Sequence, residues 1–159
     1  MFVRRADAGD RVVLERLWLM FRHDLSEFQG QLPGPDGGYR NERLESVLTG
    51  DPEWAGYLFY NGDNPIGFCF MRALQQPVRV LNSFFIVRPM RRNGLGLRAV
   101  QEVLTNHPGP CEVAFQENNP TAVRFWQRVA TEISGDTWTQ ESRPVLGSPG
   151  ADLWISFNV

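Results

Sequence analysis

An α/β fold with a mixed sheet is what this sequence predicts, and three observations carry the prediction. Three strand-like runs follow one another in the middle of the chain. Helical runs, with apolar residues at three- and four-residue spacing, stand before and after them. The length of 159 residues is one domain's worth. The expected order is β-α-α-β-β-β-α-β-α-β-β over residues 1–159, a single domain whose sheet is flanked by helices.

Met1 to Arg5 is short and extended, and Asp7 or Asp10 can cap the helix that follows. From Asp10 to His23 the apolar positions Val13, Leu14, Leu17, Trp18 and Phe21 trace one helical face. Gln29 to Gly38 holds two Pro and four Gly and reads as a loop. A second helix is expected from Tyr39 to Leu48, stopped by Gly50 and Pro52. Trp54–Tyr60 and Ile66–Leu74 then read as strands, and Asn61-Gly62-Asp63-Asn64 between them accepts the positive φ of a hairpin turn. Val78 to Val87 is a third strand. Leu95 to Asn106 is helical in pattern and closed by His107-Pro108-Gly109-Pro110, Cys111 to Gln116 is a strand, and Thr121 to Ala130 is a helix. The last two strands are expected at Glu132–Thr139 and Leu153–Val159, joined by a polar surface loop from Glu141 to Gly150.

Composition narrows the function classes. Hydrophobic residues make up 42% and charged residues 21%, ordinary values for a soluble globular protein. A net charge of -2 and a pI near 5.7 argue against a nucleic-acid partner. Arg88, Arg91, Arg92 and Arg98 cluster locally instead, which suits a small polyanionic ligand. Cys69 and Cys111 sit in apolar strand-like runs and read as buried free thiols, with a disulfide as the minority case. No Cys/His grouping has metal-ligand spacing, so no metal is expected. With no apolar signal core and no membrane-length apolar run, the expected location is cytoplasmic, without a membrane partner.

Chemistry enters at the end of the third strand. Ser83 to Val87 is apolar, Arg88-Pro89-Met90 leads out of it, and Arg91-Arg92-Asn93-Gly94-Leu95-Gly96 opens the next helix. Glycines here allow positive φ and close backbone approach. The first amides of a helix lack intrahelical partners and carry about half a positive charge, so they can hold a pyrophosphate. Arginines add charge-assisted bonds. Structural turn glycines are one competing account, and a dinucleotide fingerprint is another, since Gly94-Leu95-Gly96-Leu97-Arg98-Ala99 passes its spacing. Rossmann domains, however, repeat strand–helix–strand units, whereas three successive strands precede this loop. A P-loop is ruled out because no Gly-Lys-Ser/Thr follows.

A second segment runs Glu117-Asn118-Asn119-Pro120-Thr121-Ala122-Val123-Arg124-Phe125-Trp126. Asn119 can cap this helix, Pro120 suits its first position, and Ala122, Phe125 and Trp126 share a face. Together the two segments resemble the GCN5-related N-acetyltransferase (GNAT) superfamily. Its pyrophosphate loop, Gln/Arg-x-x-Gly-x-Gly/Ala, is met by Arg91 to Gly96. Its later Asn-x-x-Ala-x-x-Phe-Tyr helix is met from Asn119 to Phe125, with Trp126 in the last place.

That resemblance implies a mostly antiparallel sheet, acetyl-CoA as cosubstrate, and acetyl transfer to a primary amine of a small molecule or peptide. It implies that the strand before the loop splays from Cys111–Gln116, and that backbone groups of Phe85, Ile86 and Val87 pair with pantetheine as an added strand would. Arg91, Arg92, Asn93, Gly94, Leu95 and Gly96 would then hold the pyrophosphate, with Asn119, Phe125 and Trp126 beside pantetheine. The amine attacks the thioester directly, so the protein must orient it, remove its proton and stabilise developing charge. Trp126 replaces the tyrosine that commonly serves as acid, and indole does not give up its proton at useful pH, so packing is its assignment. Glu117 is the candidate base among the carboxylates Asp24, Glu27, Glu112 and Glu117, although its place also suits a solvated partner of the helix dipole. Asn82 and Ser83 can hold a relaying water. Asp24, Glu27 and Tyr39 are the acceptor-binding candidates, suited to a cationic amine, with a plain surface helix end as the competing account. Homodimers are common in the family, so a second copy is a possible partner. The alternative function is a non-catalytic acyl-CoA-binding sensor on the same fold.

Overall fold

A computed structural model describes residues 1–147 and 150–159. Strand β1 (Phe2–Arg5) leads through a short turn to helix α1 (Arg11–Gln29), and helix α2 (Glu42–Leu48) follows. Strands β2 (Ala55–Asn61), β3 (Asn64–Arg72) and β4 (Arg79–Ile86) come next, then α3 (Leu95–Leu104), β5 (Pro110–Gln116) and α4 (Pro120–Ser134). Strands β6 (Thr139–Pro144) and β7 (Ala151–Asn158) complete the order. The sheet runs β1-β2-β3-β4-β5-β7-β6. Every neighbouring pair is antiparallel except β4 and β5. The mixed, mostly antiparallel architecture is therefore the one expected.

Each face of the sheet has its own apolar layer. On one side Leu14, Leu17, Trp18 and Phe21 of α1 and Leu44 of α2 press on Leu58, Phe68, Phe70 and Phe85. On the other, Val100 and Val103 of α3 and Trp126 and Val129 of α4 cover Phe59, Met71, Leu81, Val113 and Ile155. Cys69 and Cys111 are buried there as free thiols. The strict alternation of β5 and β7 sends every second residue to this layer. It leaves Glu112, Ala114, Gln116, Asp152 and Trp154 on the opposite face, outside both apolar layers.

Most boundaries fall within one or two residues of expectation, and the larger differences are these. Helix α1 continues past His23 to Gln29 and ends where the Gly30 amide bonds to the Ser26 carbonyl at 2.8 Å. Its start is prepared by Asp7, whose carboxylate accepts from Gly9 N at 2.7 Å, while Asp10 turns back to pair with Arg4. Helix α2 begins at Glu42 rather than Tyr39. The strand expected at Glu132–Thr139 is wrong: α4 keeps its apolar face through Ile133, and the strand is Thr139–Pro144, most of it inside the segment expected to be loop. That strand is an exposed edge of polar residues, so it carries no alternation to read. The remaining part of the expected Glu141–Gly150 loop includes Ser148 and Pro149, outside the described residues. The hairpin at Asn61–Asn64 is present, with those two residues paired.

Candidate active site

The parallel pairing of β4 with β5 is short. Arg79, Val80 and Leu81 match Cys111, Glu112 and Val113, and beyond them the strands part. A β-bulge sits at the divergence. Opposite β3, Phe70 pairs with Ser83 and Met71 with Leu81, leaving Asn82 as the extra residue that bends the strand away. The resulting cavity, about 250 Å³, is lined by Asn82, Ser83, Phe84, Asn119, Ala122 and Trp126 among others.

Main-chain polarity along β4 follows from its register. Val87 N donates to Ile66 O at 2.9 Å, so alternation turns Phe85 toward β3 and leaves the Phe84 and Ile86 groups toward β5. Of the three residues expected to offer backbone to a ligand, Phe85 and Val87 are therefore turned to β3. Phe84, not anticipated, faces the gap. Its ring stacks on Phe125 at 5.4 Å and meets Trp126 edge-on at 5.5 Å. Asn119 caps α4 by accepting from Ala122 N at 3.1 Å, which fixes the helix start against the cavity.

The loop after β4 is built as a cradle. Arg88 to Met90 form one tight turn, Arg92 has φ 70° and Gly94 has φ 79°, after which α3 starts at Leu95. Asn93 Oδ1 accepts from Leu95 N at 3.3 Å. A Cβ on Gly96 would lie 3.0 Å from Phe125 Cε2, so glycine is what lets α3 pass so close to α4. Arg91 is not a free phosphate ligand as expected. Its Nε donates to the Ile86 carbonyl at 2.6 Å, its terminal nitrogen pairs with Asp24, and its guanidinium covers Phe85. Arg88 also pairs with Asp24, at 2.7 Å. Burial pushes the Asp24 carboxyl up, but the bonds from Arg91 and Arg88 outweigh it and hold the group below the ordinary carboxylate range.

Asp24 thus ties α1 to the loop through these two arginines. Glu27 lines neither cavity. Tyr39 lies beneath Arg22, whose guanidinium is 5.9 Å from the ring centroid. None of the three expected acceptor residues lines either of the two cavities described.

A second cavity of about 1000 Å³ adjoins the first and shares Gln29, Arg43, Gln116 and Asp152 with it. It lies between the end of α1, the start of α2, the end of β5 and the segment before β7. Glu117 stands on its wall, exposed, with its amide bonded to Ala151 O at 3.3 Å. Asn118 Nδ2 donates to Phe28 O at 3.2 Å and joins α1 to the start of α4. Arg22, Arg43, Arg72 and Asp152 were not anticipated as site residues. The polar run Phe21–Phe28 pointed to Arg22, and a lone Asp in the apolar run of β7 was the available signal for Asp152. Among the described residues no group of three His, Cys, Asp or Glu could hold a metal, and no helix is long and apolar enough to cross a membrane.

Residues 16–130 match the family model for the GNAT acetyltransferases. The chain belongs to the GNAT family. Members of this family are acyltransferases, and the splayed β4–β5 pair followed by a glycine-turned helix start is the GNAT arrangement expected from the motifs. Solved GNAT structures share the fold. An acetyltransferase from Thermus thermophilus superposes with a TM-score of 0.69 at 16% identity, covering 100% of this chain and 98% of that one. Spermidine N-acetyltransferase from Vibrio cholerae, solved with CoA and spermine, gives 0.69 at 12% identity, covering 99% and 94%. The Escherichia coli ribosomal-protein-S18-alanine N-acetyltransferase gives 0.68 at 8% identity, covering 99% and 93%. Sequence comparison with curated proteins finds no match.

Proposed function

We propose that this GNAT protein transfers the acetyl group of acetyl-CoA to a primary amine by direct attack. The observation that carries the reading is the gap between β4 and β5, opening beside the helix start turned by Gly94. The cradle fits a pyrophosphate: Arg92, Asn93, Gly94, Leu95 and Gly96 bring backbone amides and a guanidinium together. The Phe84 main chain and the Ile86 amide face the gap, and Asn119 and Trp126 wall its far side, with Phe125 packed on Trp126 at 4.8 Å. The thioester supplies the acyl group.

The chain's own residues orient the amine and receive its proton. Ser83 is buried and its hydroxyl donates to Asn82 Oδ1 at 3.3 Å, a polar pair at the bulge suited to holding a relaying water. Glu117 stands at the mouth of the larger cavity, where a proton can leave to solvent. The GNAT neighbour solved with CoA and spermine supports an amine as the kind of acceptor.

The test is calorimetric titration with acetyl-CoA followed by a free-thiol release screen over amines and peptides. Saturable binding and amine-dependent thiol release are expected, and Gly94→Val, which forces a β-branched residue to φ 79°, should abolish the binding. Unchanged affinity in that variant would overturn the loop assignment. Binding without turnover would favour a sensor instead.

A further inference from the structure

Three arginines converge on the two cavities of a chain whose net charge is -2. Arg22 and Arg43 line the larger one, and Arg43 and Arg72 the smaller. Arg40, also on the wall, is neutralised by Glu42 at 3.0 Å. Among the described residues the other three have no ion pair within 4.0 Å.

Arg22 is the unusual one. It is 8% exposed, lies over Trp18 and near Tyr39, and bonds to the Gln31 side chain. Its Nε is buried without a hydrogen-bond partner among the described residues. A buried donor left unsatisfied is costly, and a buried guanidinium with no counter-anion more so. Desolvation, with Arg40 nearby, disfavours the charge on Arg22, while Arg43 stands exposed at the cavity wall beside it. The wall is thus built for an anion that is supplied from outside. Asp152 is the one acidic residue shared by both cavities, and so lines the β4–β5 gap as well as the arginine wall.

We infer that the acceptor of this protein carries a carboxylate as well as its amine, with the carboxylate received by Arg22 and Arg43 and the amine directed to Asp152 beside the gap. Guanidinium forks match the planar, two-oxygen geometry of a carboxylate. Arg72 adds charge from the inner side, and a cavity of about 1000 Å³ takes a small molecule or the end of a peptide. The inference rests on the acetyltransferase reading and names the substrate class for it.

The test uses the full chain, acetyl-CoA and matched acceptors: amino acids, their amides and their decarboxylated amines, with short acidic peptides and their neutral counterparts separating free from peptide carboxylates. In at least one matched set kcat/KM should be tenfold or more higher for the carboxylated member. Arg43→Gln should collapse that ratio toward one, chiefly through the acceptor KM, and Arg43→Lys should restore part of it. Arg43 is the primary variant because the residue is exposed and folding should survive its replacement. Equal or better turnover of the uncharged members, or an unchanged ratio in Arg43→Gln, overturns the inference while leaving the acetyltransferase reading standing. A second measurement does not need chemistry: N-acetylated amino acids, which keep the carboxylate and lack the amine, are titrated calorimetrically. Saturable binding that weakens at least tenfold in Arg43→Gln supports the anion site, and no binding across the panel overturns it. Failure to bind acetyl-CoA sinks the parent reading and the acceptor role with it, while the calorimetric titration still reads the anion site by itself.

Discussion

Arg91 donates from Nε to the carbonyl of Ile86 at 2.6 Å, bending the loop back onto the strand it has just left. The same guanidinium pairs with Asp24, as Arg88 does, so one carboxylate on α1 holds the loop in shape. Asp24→Asn should loosen the cradle without unfolding the protein. Exposed ion pairs of this kind are weak, so the acetyl-CoA KM should rise only about two- to fivefold, with little change in kcat. Steady-state kinetics check this. The pH sign is fixed as well: the folded carboxyl lies below its ordinary 3.8, so the tie is intact above that value and is lost as pH falls through the folded pKa.

Gly96→Ala tests the close approach of α3 to α4. Its new Cβ would meet Phe125 Cε2 at 3.0 Å, and that ring is stacked on Phe84, so it has little room to retreat. Overpacking of this kind costs about 1–3 kcal/mol. The melting temperature should drop by roughly 2–4 °C per kcal/mol, and acetyl-CoA affinity should fall with it. A melting temperature equal to wild type would contradict the packing described.

Far from the site, Tyr57 Oη and His107 Nε2 lie 2.8 Å apart in the core. Burial, with Arg79 and Arg5 nearby, lowers the His107 pKa from its ordinary 6.5. The unfolded chain therefore binds the proton more readily, and stability should decline as pH falls below about 6.5, toward the folded pKa. Urea unfolding at a series of pH values measures the slope. His107→Gln should flatten it, and Tyr57→Phe should cost about 1–3 kcal/mol near neutrality by leaving a buried nitrogen unpaired.

Burial pushes the Cys69 thiol well up and the Cys111 thiol up to about 12. Thiolate is the reactive form, so neither should react with a disulfide reagent in the native protein, and both should react after denaturation. Rapid labelling of one equivalent under native conditions would show that this core opens more readily than its packing implies.

The sequence was most legible where chemistry and hydrophobic pattern agree. Val13 to Phe21, the Asn61–Asn64 turn and Asn119-Pro120 each signal their own conformation locally, and all three lie where expected. The Arg91–Gly96 loop was found because positive φ and helix starts need particular residues. The edge strand Thr139–Pro144 was missed because exposed polar residues form a strand only when β7 supplies the partner. The acceptor wall was missed for a similar reason. Arg22, Arg43, Arg72 and Asp152 are far apart in sequence and meet only when the two halves of the sheet are assembled. Arg91 adds what a motif does not carry: its contacts to the Ile86 carbonyl, Asp24 and the Phe85 ring brace the loop.

Only three residue pairs stitch β4 to β5, yet that seam is where β1–β4 meets the half made of β5, β7 and β6. The sheet is in effect two panels sharing a short hinge, with the wedge between them left unzipped. Whatever fills the wedge with hydrogen-bonding groups acts as a missing strand and stiffens the whole body as it binds. Ligand concentration then becomes a structural variable, since a ligand at about a hundred times its Kd adds about 2.7 kcal/mol to the folded state.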